Sequence, residues 1–405
     1  VAEKAREALV DVEALLPNVN WQSMHHCRGE AGDVPRLLRE ATQPLRSPER
    51  ERARQRLRDA LCYQGSIFEP TLHATPVFLA ALESADTELQ HWALGWMSVL
   101  ANAYTMTEGQ GTLEWISEDH PERRDAEAQF EREKSWVTRV HTHVWRAVPR
   151  LLDLVREGGA EENTVAAPCV LLDILRHARD AAPDEDVVAR SAASLGDIER
   201  QRLQSEEDDR LRACHAGALG RLVGDHGYDA EAALVAEAWP MAYPLTASVA
   251  ARDLAFLQRG NPELLARTLG SSLCRIDEHS TWLPRDARMP WITGHLRFSL
   301  TRALCLLPDE AFDAQLEVIA ATLRDHTNAF VYDALAAPVV ARVLGDFVVD
   351  ESTRRHHLPH RAVAVLDALL ASRLWDDPRI ANPVLAMRTH GLEYKHDFWA
   401  RMLGT

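Results

Sequence analysis

Apolar stretches of helical period, each closed by a short proline- or glycine-bearing break, follow one another along nearly the whole chain, with almost no strand-like stretch between them. The segment from Tyr63 to Pro70 separates one pair, and Pro76 to Leu82 then opens a new apolar face. The same grammar returns at Val148-Pro149, at Ala167-Pro168 and at Ala337-Pro338. A short helix buries only one face, so a long run of helices with brief connections must bury those faces on its neighbours in sequence. The expectation is an all-α fold of stacked helix pairs.

Individual helices are legible. Pro48 stands where a helix begins, and Ala53, Leu57, Ala60 and Leu61 form an inner stripe behind it. Trp92, Trp96 and Leu100 recur every fourth residue between Leu89 and Ala101. Val140, Val144, Val148, Leu151 and Val155 make another stripe, kinked or split at Pro149 and stopped at Gly158-Gly159. Leu296, Leu300, Leu304 and Leu307 make a third, and Phe312, Leu316, Ile319 and Leu323 its antiparallel partner. The tract from Ser205 to Asp209 reads as a capped, acidic helix start. Two stretches break the rhythm: Asn102 to Arg124, and Ser280 to Thr293 with Trp282, Pro284, Pro290 and Trp291. Long irregular insertions in repeat proteins often lie on the binding side.

Ala192 to Gly196 is echoed by Ala216 to Gly220, small residues followed by a Leu-Gly pair that lets neighbouring helices approach closely. With the Ala-Pro and Val-Pro helix openings, and with the stretch from Leu61 to Glu83, this pattern resembles the HEAT and armadillo-like α-solenoids, in particular bacterial HEAT-repeat-containing proteins of unassigned activity. The resemblance covers most of the chain. It implies a right-handed α-solenoid of antiparallel helix pairs over residues 1–405, with a subdivision near 102–124 that sets 1–101 apart from 125–405. It implies a binding habit, not a reaction.

The charge balance bears on partners. Lys plus Arg number 45 against 61 Asp plus Glu, a net charge of -16 in 405 residues. That field repels phosphate backbones and anionic membranes and favours basic partners. Six cysteines are scattered without a Cys-x-x-Cys pair, which suits a reducing cytoplasm. No apolar run reaches the ~18 residues that span a bilayer, and the first residues lack a signal-peptide core. Because the sequence begins at Val1, a removed leader stays open.

Several clusters carry chemistry-bearing residues. His25, His26 and Cys27 form the densest set of metal-ligand types, but no further ligands stand at zinc spacing, so neither metal nor cofactor is expected. Asp277, Glu278 and His279 place two carboxylates beside a base, with Trp282 and Trp291 following; in a pocket they would suit acid–base work on a small molecule. Trp21, Trp115, Trp282 and Trp291 lie in or beside irregular stretches and would anchor a partner if exposed. His141 and His143, two apart, point in different directions. His356, His357 and His360 surround Pro359 at a helix entry, where they read as a pH-sensitive or phosphate-binding patch or as a solvated turn. The arginines between Arg50 and Arg58 are interrupted by acids and read as a solvated, salt-bridged face. No phosphate loop, nucleophile elbow or zincin motif occurs.

The expectation is a cytoplasmic binding or adaptor protein that holds a protein or peptide of basic character, in the manner of an immunity protein, without a catalytic motif that names a reaction. Its rivals are a small-molecule enzyme built on Asp277, Glu278 and His279, and a HEAT-like DNA glycosylase, which would need a basic face this chain lacks overall.

Overall fold

A computed structural model describes residues 10–16, 18–43, 47–63, 65–109, 113, 116–158, 161–239, 242–275, 296–325, 329–350, 352–372, 392 and 396–404. The fold is all-α. Among the described residues the strands form only two hairpins, β1 (His25–His26) with β2 (Gly29–Glu30) and β3 (Cys62–Tyr63) with β4 (Ser66–Ile67). No helix is long and apolar enough to cross a membrane among them. The chain divides into two compact units, Val1–Ile198 and Glu199–Thr405.

The first unit contains α1 (Val34–Ala41), α2 (Pro48–Leu61), α3 (Glu69–Leu82), α4 (Thr87–Ala101), α5 (Arg123–Trp145), α6 (Val148–Glu157) and α7 (Glu161–His177). Their starts follow local chemistry. The Ser47 hydroxyl accepts from the Arg50 amide at 3.0 Å ahead of Pro48, and the Asp86 carboxylate accepts from the amides of Glu88 and Leu89. Pro149 opens α6 in its first turn, so the valine stripe belongs to two helices, and Gly158 closes α6 at φ 70°. Within the unit α1 packs on α2, α3 on α4 and α5, α4 on α7, and α6 on α7. Phe78 stacks on Trp96 at 4.4 Å between ring centroids and meets Trp92 edge-on, which fixes α3 against α4.

Three prolines that read as helix openings lie inside helices instead: Pro76 in α3, Pro168 in α7 and Pro338 in a helix of the second unit. For α3 the start is already set upstream. Pro70 occupies the first turn, and the Phe68 amide donates to the Thr71 hydroxyl at 3.3 Å. Ala74, Thr75, Val77 and Phe78 on either side of Pro76 are buried, and tertiary packing outweighs the lost backbone bond.

A helix α8 (Glu185–Ser205) carries the division at 198/199. The second unit continues with α9 (Asp209–His226), α10 (Glu231–Glu237), α11 (Pro244–Phe256), α12 (Pro262–Cys274), α13 (Leu296–Cys305), α14 (Leu316–Asp325), α15 (Ala329–Leu344), α16 (His360–Leu370) and α17 (His396–Leu403). Asp208 caps α9 through the Arg210 amide at 2.8 Å, and Gly227 ends it in the left-handed region.

Packing in this unit skips alternate helices. α11 lies between α9 and α13, and α13 against α15; α12 lies against α14, and α14 against α16. α9 and α11 run in the same direction. The Asp209 carboxylate accepts from the amides of Leu245 and Thr246 at 2.8 and 2.9 Å, tying the two N-termini together. Further along, Gly220 abuts Asp253 and Gly224 abuts Leu257. The next pair, α11 and α12, is antiparallel, joined by the hydroxyls of Ser248 and Ser272 at 2.5 Å. Every residue from Leu245 to Ala255 is buried, so α11 is the centre of the unit.

Candidate functional site

The candidate metal trio is dispersed by its hairpin. The amide of Arg28 donates to His26 Nδ1 at 3.0 Å, which places the ring proton on Nε2, 3.1 Å from Asp33 Oδ1. Both nitrogens of this buried ring are therefore engaged, and Asp33 is held from its other side by Arg56 at 3.2 Å. His25 is exposed on the opposite face of the strand. The Cys27 thiol donates to the Asp59 carbonyl at 2.5 Å, and burial pushes its pKa up. Among the described residues no three His, Cys, Asp or Glu side chains gather as a metal site.

Trp21 is only 7% exposed and meets His73 edge-on at 6.1 Å, so its ring belongs to the core. Trp115, Trp282, Trp291, Asp277, Glu278 and His279 lie outside the described residues. His141 and His143 have their pKa lowered, in each case first by burial.

Two arginines of α2, Arg50 and Arg54, turn inward, against the expectation of a solvated face, whereas Arg52, Arg56 and Arg58 stay exposed. Arg50, buried, bonds the Glu88 carboxylate of α4 and the Gln43 carbonyl at 3.2 Å. Arg54 reaches the same carboxylate at 3.2 Å and the Ala41 carbonyl at 3.1 Å, with its guanidinium 5.1 Å from the centre of the Trp92 ring. One acid thus holds two arginines between α2 and α4, which leaves neither free to grip a phosphate.

The second unit buries charge differently. On α11 the Arg252 guanidinium donates to Asp253 Oδ1 from Nε at 2.7 Å and from Nη2 at 2.6 Å. Asp253 Oδ2 and Arg252 Nη1 are buried without a partner among the described residues. Burial pushes the Asp253 carboxyl up to about 6 against the pull of Arg252 and Arg221. The carboxyl lies where a Cβ at position 220 would be, so glycine is required there. Nearby in sequence, His215 donates through Nδ1 to Glu199 at 2.6 Å, both side chains fully enclosed, with Glu199 Oε1 and His215 Nε2 unpartnered among the described residues. The compact Leu-Gly motif signals the close approach at Gly220, and the charged pair Arg252-Asp253 inside an apolar run marks the buried pair in the sequence.

Two features of this unit face solvent. The first is a rim. Large hydrophobic side chains exposed among the described residues are Tyr63 at 46%, Phe256 at 39%, Leu306 at 44% and Val348 at 64%. All but Tyr63 belong to the second unit, and each follows or ends a helix of the same alternating row, α11, α13 or α15. Arg302 on α13 lies over the Phe256 ring at 5.9 Å, and Arg342 on α15 donates to the Leu307 carbonyl at 2.8 Å. The C-terminal ends of the three helices therefore come together. Leu306 is recognisable in sequence as the residue off the stripe of Leu300, Leu304 and Leu307; nothing comparable marks Phe256 or Val348.

The second is an open depression of about 730 Å³ at the entry to α16, lined by Arg355, His356, Leu358, His360, Val363, Ala364 and Asp367. The expected helix entry at Pro359 is present, and His356 and His357 form a preceding turn with rings 4.0 Å apart. Arg355 is held by both Asp367 oxygens at 2.8 and 2.6 Å, so its charge is matched within the depression. His357 Nδ1 accepts from the Arg354 amide at 3.1 Å. Among the described residues that line the hollow there is no nucleophile with an adjoining base.

No protein-family model, curated protein or solved structure matches this chain.

Proposed function

We propose that the chain is a HEAT-like helical-repeat protein that holds a protein or peptide partner of basic character in a reducing compartment such as the cytoplasm. The observation that carries this reading is the alternating packing of the second unit. Helices α9, α11, α13 and α15 lie side by side, each against the next but one, and α12, α14 and α16 do the same. Repeat proteins are built this way, and the arrangement frees whole helix edges for contact. The net charge of -16 supplies attraction for a basic partner. Six cysteines without a disulfide fit a reducing environment.

The enzymatic reading rests on Asp277, Glu278 and His279, and no described feature favours it. The DNA-binding reading draws nothing from Arg50 and Arg54, whose guanidinium groups are taken by Glu88.

The test is to recover the partner with the tagged full chain, reconstitute the purified pair and measure affinity against salt. A basic partner in a stoichiometric complex that weakens as salt rises is the expected result. An acidic or neutral partner bound regardless of salt overturns the charge-based part. A turnover activity abolished by Glu278→Ala or His279→Ala overturns the binding reading itself.

A further inference from the structure

The fold of the first unit brings two of the six cysteines together. Cys27 stands in the turn between β1 and β2, and that turn lies on the end of α2. The Cys27 amide donates to the Ala60 carbonyl at 3.4 Å, and the thiol donates to the Asp59 carbonyl at 2.5 Å. Cys62 follows Ala60 by two residues, at the start of β3, and its thiol is near enough to act electrostatically on that of Cys27. Both residues are free cysteines and only partly buried. The remaining four are placed differently: Cys169, Cys214 and Cys305 are buried, and the exposed Cys274 belongs to the second unit.

Burial raises the pKa of both thiols, against the pull of Arg28 on Cys27 and of the Gly65 backbone and Arg58 on Cys62. Thiols of this kind ionise reluctantly, so the pair stays reduced until a disulfide oxidant is abundant. Arg28 and Arg58 are both exposed, and their charge favours an anionic oxidant such as glutathione disulfide.

We infer that Cys27 and Cys62 are a reversible modification site, closing to a disulfide under oxidising load and clamping the β1–β2 turn to the start of β3. One thiolate of the pair attacks a sulfur of glutathione disulfide and releases the first glutathione thiolate. The other then attacks the protein sulfur of the mixed disulfide and releases the second. Two protein thiols thereby give up two protons and two electrons, and one glutathione disulfide leaves as two glutathione thiols. The new bond encloses α1 and α2 in a covalent loop, which restricts the unfolded chain and so stabilises the folded one.

The test uses the full chain carrying Cys274→Ser, which removes the exposed competing thiol. It is incubated with excess glutathione disulfide at about pH 8, then melted and mapped by mass spectrometry of its peptides without reduction. The expected result is a linked peptide pair carrying Cys27 and Cys62, with a melting temperature about 5 °C or more above that of the reduced protein. Dithiothreitol should reverse both. Cys27→Ser and Cys62→Ser should each abolish the link and the rise; Cys62→Ala is a second variant, and circular dichroism checks that each is folded. Separate glutathione adducts on Cys27 and Cys62 without a link, or thiols that stay unmodified, overturn the pair. A link that leaves the melting temperature unmoved overturns the clamp. No partner enters the assay, so its outcome is independent of the partner-binding reading.

Discussion

The two units bury arginine and carboxylate together, but satisfy them to different degrees. In the first, Glu88 is shared by Arg50 and Arg54, and the carbonyls of Gln43 and Ala41 take up further donors, leaving Arg54 Nη2 as its one buried atom without a partner among the described residues. In the second, Arg252 and Asp253 are sequence neighbours on a helix with no exposed side, and each keeps a polar atom without a partner among the described residues. The difference teaches that pairing alone does not satisfy a buried charge. The first cluster sits at a junction of helix ends where carbonyls are available, whereas the second sits mid-helix, where backbone groups are already spent on the helix itself.

Breaking the first cluster should have the largest effect. Glu88→Ala leaves two arginines facing each other without their acid, and unfolding in urea should show a loss of about 3 kcal/mol. Gly220→Ala comes next. Its methyl group would displace the Asp253 carboxyl, at a cost of about 2 kcal/mol; combination with Asp253→Ala should recover part of that loss in a double-mutant cycle. If the two changes are additive, the contact is not the cause.

The pH dependence of the second cluster is smaller and of definite sign. The folded-state carboxyl of Asp253 lies at about 6, above the 3.8 of an ordinary aspartate, so the folded chain binds this proton more tightly than the unfolded one. The penalty is full above about 6 and shrinks as pH falls through that value. From about pH 7.5 to about pH 5 the difference between wild type and Asp253→Asn should therefore move by about 1.4 kcal/mol in favour of wild type. Parallel pH profiles for the two proteins would show that Asp253 is not the titrating group. The smallest effect belongs to the rim. Leu306→Lys should change stability by less than about 0.5 kcal/mol, because the side chain is already solvated.

Much of the helical order was legible because its signals are local. Ser47 with Pro48, Asp208 ahead of α9 and Gly158 after α6 each act within a turn, and each stands where the chain starts or stops a helix. Pro76, Pro168 and Pro338 misled because a proline is read as a start only when nothing upstream has already nucleated the helix; Pro70 had. The candidate sites were harder. His26 was visible as a ligand type, but its engagement by Arg28 and Asp33 depends on a hairpin turn. Trp21 was visible as an anchor type, but its burial depends on His73, far along the chain. Of the rim residues, Leu306 shows as the position off the stripe of Leu300, Leu304 and Leu307, whereas Phe256 and Val348 carry no spacing signal, since exposure at a helix end is decided by which helix stands beside it. The small-residue repeat was informative for a physical reason: a missing side chain at Gly220 announces a neighbour, though not that the neighbour is a carboxylate.

The enclosure of α11 has a dynamic consequence. Between Leu245 and Ala255 no face is turned to water, so exchange of its amide hydrogens with solvent requires its surroundings to part. Fraying at the ends of the outer helices cannot reach it. These backbone protons should be the last of the unit to be replaced by deuterium, and their lifetime should report the opening of the whole unit and not of a single helix.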